Sequence, residues 1–552
     1  MSKRLPLLAA LFATTAIAQI APQFDAARLS QHVKMLASDA FEGRGPATAG
    51  ETKTVDYVVQ QMKAAGLQPG GEIRNGKRGW TQDVPLLKSS IVGAPRLTLF
   101  TGGAAMPLIQ GDQIAVRAAM TGQKHVTLKD VPLVFAGYGV SAPERKWDDF
   151  KGVDVRGKLI VVLINDPDFE AGMKGQDGAF GGKAMTYYGR WTYKYEQAAR
   201  LGAAGVLIVH ETAPASYGWN TVKNSNTNTM FDIVRKDAAT VHTPFESWIQ
   251  RDLAVKLFKD SGLDFDVAKK AAQSPDFRPI PLKATLSADY GVDANVITSH
   301  NVAGMLTGAK HPDELVIYSA HWDHLGVGQP DARGDRIYNG AVDNATGTAA
   351  LFEMGRAFAS APRTDRSILF LAVTAEEKGL LGSEYYAANP LFPLAKTAGV
   401  INTDALDPFG RARNFTISGV AKLDLLDRLV AAGQARGRTY TPDPHTEAGG
   451  FYRSDHFPFA KRGVPAISFG SGNDLVNGGT ERGEALGKAY TDAKYHQPAD
   501  EWSEDWDLSG MTDDLGLLYT VGRDLANGRD WPNWSADSEF RATRDATAAQ
   551  RR

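Results

Sequence analysis

The chain has 552 residues, enough for two or more domains, and its 43% hydrophobic and 22% charged content is that of a soluble globular protein. A formal net charge of −2 argues against nucleic acid or an anionic membrane as the main partner. With no cysteine, thiolate zinc sites and a cysteine nucleophile are excluded, so any metal must be held by His, Asp and Glu.

In chain order, Lys3 and Arg4 precede an apolar run from Leu5 to Ile17, and Ala16-Ile17-Ala18 is a small-x-small cleavage signal. Residues 1–18 therefore read as a signal peptide, with a mature chain from about Gln19 and a periplasmic or extracellular destination. No other stretch approaches the roughly 20 apolar residues of a membrane span. Leu29, Val33 and Leu36, then Val55, Val58, Val59 and Met62, are spaced for two amphipathic helices. Between them, Glu42-Gly43-Arg44-Gly45-Pro46 has the composition of a turn. Residues 70–130 hold short alternating runs separated by glycines, which predict strands and hairpins.

From 131 the character changes. Val131 to Gly139 is a strand into a glycine turn, 158–163 and 205–210 are buried strands, and 195–201 is a short helix. The Asn- and Thr-rich stretch 220–228 reads as a polar loop. Residues 131–285 carry no acid–histidine cluster and read as an inserted domain, with 25–130 and 286–528 forming the main one. From about 290, strands at 314–320, 367–374, 397–403, 414–418 and 464–469 alternate with helices at 345–360, 378–388, 422–435 and 507–526. This pattern predicts an α/β fold, a mixed and mostly parallel sheet with helices on both faces, whose ligands sit beyond the carboxyl ends of the strands. The polar tail 529–552 is expected to be loosely ordered or draped over the surface.

Acids and histidines gather at those strand ends. His321 and Asp323 follow one strand; His321 is a candidate ligand, with Asp323 accepting its other ring N–H and His324 left over, facing elsewhere. Asp343 stands before a helix, where alone it would read as a cap. Glu376 and Glu377 follow another strand, and adjacent carboxylates repel unless a cation lies near or one is protonated. Asp404 ends a third strand, and His496 lies far downstream in a loop. Each feature alone is weak. Together they supply two histidines and three carboxylates as ligands with a fourth carboxylate as base, a donor set suited to zinc and compatible with manganese or cobalt. With Asp343 bridging, two metals about 3.5–4 Å apart are expected.

The order His-x-Asp, Asp-Asn-x-x-Gly, Glu-Glu, Asp and a late His resembles the di-zinc exopeptidases, secreted bacterial aminopeptidases whose larger relatives include glutamate carboxypeptidase and the transferrin receptor. Phe135-Ala136-Gly137-Tyr138-Gly139 and Gly202-Ala203-Ala204-Gly205-Val206 make 131–285 similar to the β-rich protease-associated domain often inserted in that family. The resemblance implies that His321 and Asp404 hold one zinc, Glu377 and His496 the other, and Asp343 both. It implies Glu376 as general base, Asp323 as orienter of His321, and a cis peptide at Asp343–Asn344. Some members place an oxyanion-stabilising tyrosine just before Ser-Asp-His; here Tyr452 is offered for substrate binding, or as a packing aromatic.

The resemblance thus implies hydrolysis of N-terminal residues from peptides. A carboxypeptidase or dipeptidase on the same scaffold would need cations for the substrate carboxylate, and Arg44, Arg411, Arg413 and Arg453 are available. Glutaminyl cyclases of this scaffold work with one zinc, and the receptor relatives lose ligand positions, whereas here every position is filled.

Overall fold

The computed structural model describes residues 22–170 and 179–551, so the expected signal peptide, 1–18, lies outside the described residues. The fold is organised on the strand His311–His321. It lies between Arg366–Val373 and Thr397–Thr403 and runs parallel to both. The chain crosses through the helix Thr346–Ala359 to one side, then through Leu381–Ala388 to the other. The order of strands therefore reverses at His311–His321, and a crevice opens beyond its carboxyl end.

These strands are apolar on both faces because both faces are covered; all eight residues of Arg366–Val373 are buried. The two side-chain sets separate as period-two geometry demands. Val316, Tyr318, Ala320, Ile368, Phe370 and Ala372 pack with the helices Ala26–Leu36, Ala49–Ala64, Thr346–Ala359 and Ser509–Asn527. Leu315, Ile317, Leu369, Leu371 and Val373 pack on the opposite face with Tyr386, Ala387 and Phe459. The expected mixed sheet with helices on both faces is thus observed.

A second parallel run, His125–Phe135, Leu159–Leu163, Gly205–His210 and Phe245–Gln250, belongs to the same sheet. Ile280–Leu306 links the two runs, pairing antiparallel with Arg366–Val373 and with His125–Phe135, and Thr81–Thr101 pairs antiparallel along it. The reading of 70–130 as short separate strands is corrected here, because 81–101 is one long strand. Gly93 (φ +67°) falls in its register shift, between the pairs Val92–Gly291 and Arg96–Asp289, and absorbs the irregularity as a bulge. Pairings cross the expected boundary at 131: Ile114–Val116 pairs with Phe245–Gln250, and Met230–Ile233 reaches out to pair with residues 86–89.

Two further differences come from side-chain packing. Residues 219–226 form a helix rather than a polar loop, anchored by buried Val222 and by the Asn226 amide donating to the Val222 carbonyl. The tail is docked. Trp534 and Phe540 are buried, the Trp534 indole N–H donates to the Gly463 carbonyl, and buried Arg544 donates to the Thr397 and Pro532 carbonyls. A few large side chains anchor a segment whose average composition is polar. Among the described residues, no helix is long and apolar enough to cross a membrane.

Candidate functional site

The crevice collects the acids and histidines. His321 is the last residue of the central strand, Glu376 and Glu377 open a single turn just beyond Arg366–Val373, and Asp404 follows Thr397–Thr403. Asp343 sits in the turn before the helix Thr346–Ala359, and its peptide bond to Asn344 is cis. His496 comes in from the loop after the helix Gly479–Ala493.

Two clusters meet at Asp343. In the first, His321 Nε2 lies 3.1 Å from Asp404 Oδ1 and 3.2 Å from Asp343 Oδ1. In the second, His496 Nε2 lies 3.2 Å from Asp343 Oδ2 and 3.2 Å from Glu377 Oε2. The His321 ring is held by its own chain. Its Nδ1 is 3.1 Å from the Asp323 carbonyl, so the N–H belongs there and Nε2 is left to face the carboxylates. The Asp323 carboxylate stands 3.7 Å from that nitrogen and instead accepts the Glu376 backbone N–H at 3.0 Å. The expected orienting contact is therefore made by the carbonyl of Asp323, and its carboxylate positions Glu376.

Several residues hold this arrangement. The Asn344 amide donates to the Thr403 carbonyl, while its oxygen accepts N–H groups from Gly347 and Ala405, tying the Asp343 turn to the Asp404 loop. This explains the glycine of Asp-Asn-x-x-Gly, because a Cβ on Gly347 would lie 2.3 Å from Asn344 Oδ1. Asp500 accepts the backbone N–H groups of Val342 and Asp343, both at 3.1 Å, and couples the His496 loop to the Asp343 turn. Ser454 donates to Asp404 Oδ2 at 2.6 Å. Ala375, Ala405 and His496 all have left-handed backbone (φ +53°, +57° and +58°), a strain that gathers where function fixes the chain.

The electrostatics call for a cation. Burial raises the Glu376 carboxyl well above the usual range; His321 opposes this, and the charges of Asp404, Glu377 and Asp455 add to it. Burial, with the charge of Glu377, pushes Asp323 up to about 6 against the pull of His321. Burial alone would depress His321, yet Asp404, Glu376 and Asp343 outweigh it and hold the imidazole well above its ordinary value. Buried Glu377 Oε1, Asp323 Oδ2 and both ring nitrogens of His324 have no hydrogen-bond partner. Oxygen and imidazole atoms grouped as His321–Asp343–Asp404 and His324–Asp343–Glu377, the second group including the unpaired atoms of His324 and Glu377, fit zinc or a similar divalent ion.

Some expected residues have other duties. The Tyr452 hydroxyl donates to Glu539 at 3.1 Å, and its ring packs on Phe451 and Phe457, so the proposed oxyanion role is not met. It borders a cavity of about 720 Å³ between residues 144–145, 179–186 and 534–540, lined by none of the expected ligands. Buried Arg44 donates to the carbonyls of Leu36, Trp322, Asn339 and Gly340, and Arg413 to Asp474, Leu475 and Val476, which removes both as free cations for a substrate carboxylate. His324 does not face elsewhere; it is buried against Glu377.

Sequence reasoning missed Asp500, the inward turn of His324, and Tyr495. The Tyr495 ring stacks on His496 at 3.9 Å and is 44% exposed. Burial first, then the charges of Asp343, Glu377, Glu376 and Asp404, raise its phenol above the ordinary value. Its adjacency to His496 in sequence was the available signal.

Residues 301–519, which hold all the ligand candidates, match the model of peptidase family M28. The chain is 35% identical over 106 residues to a probable zinc metalloprotease of Pyricularia oryzae, 37% over 113 residues to the aminopeptidase NAALADL1 of Mus musculus, and 40% over 91 residues to the aminopeptidase YwaD of Bacillus subtilis. These matches span 19%, 19% and 16% of this chain and only 20%, 14% and 17% of the relatives' own lengths. Among solved structures, an aminopeptidase from Aneurinibacillus sp. strain AM-1 aligns over 93% of this chain and 97% of its own, at 19% identity and a TM-score of 0.47. A zinc aminopeptidase from Bacillus subtilis aligns over 94% and 99%, at 17% identity and a TM-score of 0.41. The matched segment begins at the end of the long strand Ile280–Leu306 and includes the whole central parallel run.

Proposed function

We propose that this chain is a zinc-dependent exopeptidase, an aminopeptidase that removes N-terminal residues from peptides. The observation that carries the reading is Asp343, whose two oxygens each lie 3.2 Å from a different histidine, so that one carboxylate serves two adjacent clusters. His321 and Asp404 would hold one zinc, Glu377 and His496 the other, and Asp343 both. When bound, the two ions supply Lewis acidity, polarising the scissile carbonyl and acidifying water. Glu376, held by the Asp323-bound backbone N–H, takes the proton from the attacking water and delivers it to the leaving amine. A carboxyl kept above its usual range by burial and by neighbouring acids suits that exchange near neutral pH.

Tyr495 takes the part that was expected of Tyr452. Its ring stacks on ligand candidate His496 and is partly exposed, so its phenol is the candidate donor to the oxygen that gains charge as the carbonyl is attacked. Tyr495→Phe is expected to lower kcat about 10²-fold with little change in KM. An unchanged kcat removes the residue from the reaction.

Aminopeptidase action is favoured over carboxypeptidase action because two of the matched relatives carry that name and because Arg44 and Arg413 are already engaged. Aminoacyl p-nitroanilides with free amines should be cleaved and their N-acetylated forms resisted. Equal cleavage of both, or cleavage only of peptides with a free carboxylate, would overturn the assignment. We further infer export, from the charged, apolar and small-residue pattern of residues 1–18. The parallel run around 131–285 reads as a protease-associated unit on its glycine motifs.

A further inference from the structure

His324 was left over by the residue pattern, yet its ring is fully buried at the second cluster. Its Nδ1 lies 2.7 Å from Glu377 Oε1 and 4.0 Å from Asp343 Oδ2. Despite the short separation, neither Nδ1 nor Oε1 has a hydrogen-bond partner; the two atoms are close but not aligned. Two buried donor atoms this close, neither satisfied by a hydrogen bond, are placed to share a cation. The position is built rather than incidental. Gly340 (φ +56°) passes so close that a Cβ there would lie 2.5 Å from His324 Cγ, and Arg44 fastens the Trp322, Asn339 and Gly340 carbonyls on either side of the ring. His496 faces the same two carboxylates with its ring 5.7 Å from that of His324.

We propose that His324 is a further ligand of the metal held by Glu377 and His496, which makes the two metal positions unequal. The proposal rests on the metal-centre reading above. With His324 the second position has four protein donors, His324, Asp343, Glu377 and His496, the number that closes a zinc site. The first has three, His321, Asp343 and Asp404, and so keeps a place for water or substrate. The two ions should then bind in order, the closed position filling first.

The test strips the full chain with a chelator and titrates it with Zn²⁺ or Co²⁺ alone. Wild type should take up two ions, the first at least about 10-fold more tightly than the second. His324→Ala should weaken the tight step by about 100-fold or more, the upper end of what is lost when a residue merely orients a ligand. Because that variant could fold poorly, the cobalt-loaded wild type gives a second readout. Its proton NMR spectrum should contain three hyperfine-shifted imidazole N–H signals, from His321, His324 and His496. Only two such signals, or two tight ions bound unchanged by folded His324→Ala, overturn this inference and leave the metal-centre reading intact. Failure of wild type to bind any ion overturns both.

Discussion

Glu376→Gln should leave metal binding intact and lower kcat about 10³-fold. A positioned general base contributes roughly 10²–10⁴-fold, and glutamine keeps the shape while losing the ability to take a proton. None of the short ligand contacts at Asp343 involves Glu376, so its loss does not remove a ligand. The backbone N–H of residue 376 still reaches Asp323 at 3.0 Å, so the turn should keep its place. The substitution also removes a carboxyl that burial and the nearby Asp404, Glu377 and Asp455 make costly to ionise, and thermal stability should be unchanged or slightly higher. Metal content measured beside steady-state rates decides the matter. Wild-type turnover with full metal content would transfer the base role elsewhere, while lost metal would make Glu376 a ligand.

The largest stability effect is expected at Arg44. Its guanidinium donates to Trp322 O at 2.8 Å, Leu36 O at 2.8 Å, Asn339 O at 2.6 Å and Gly340 O at 2.7 Å, with no exposed surface. Burial lowers its pKa to about 10, against the raising pull of Asp343, Asp500, Asp323 and Glu377, so the charge is retained at neutral pH. Arg44→Met fills similar volume but takes the donor from the buried Trp322, Leu36 and Asn339 carbonyls, leaves Gly340 with only the Ala345 N–H, and removes a cation facing the acidic cluster. Each unpaired buried group costs about 1–3 kcal/mol, so a loss of roughly 4 kcal/mol or more is expected in chemical denaturation. Arg44→Lys should rescue little, because an ammonium cannot span four acceptors in the fork geometry. A loss below about 1 kcal/mol in either variant would show that these carbonyls find other partners.

Much of the central sheet was legible because its signals are local. Strands buried on both faces read as unbroken apolar runs, and helices such as Thr346–Ala359 and Asp424–Ala435 keep their period over several turns. The long pair Thr81–Thr101 with Ile280–Leu306 was not legible, because a strand interrupted by Gly93 looks like two until its distant partner is known. The docked tail was hidden in the same way, since Trp534 and Phe540 are few among polar neighbours and their partners lie far back in the chain.

For the site, the chemistry of the donor atoms and their order along the chain were determined by the sequence alone. Without cysteine, and with acids and histidines at the ends of buried strands, only a hard or borderline metal served by oxygen and imidazole fits. Which atoms face one another was decided by the tertiary structure. Asp323 supplies a carbonyl to His321 and its carboxylate to Glu376, His324 turns in toward Glu377, and Tyr495, not Tyr452, stacks on His496. Arg44 read only as part of a glycine-rich turn, and it is also the pin beneath residues 339 and 340. The reason is physical. Periodicity reports the surroundings of a residue averaged over its own element, whereas the partner of a buried polar group is set by a chain crossing hundreds of residues away.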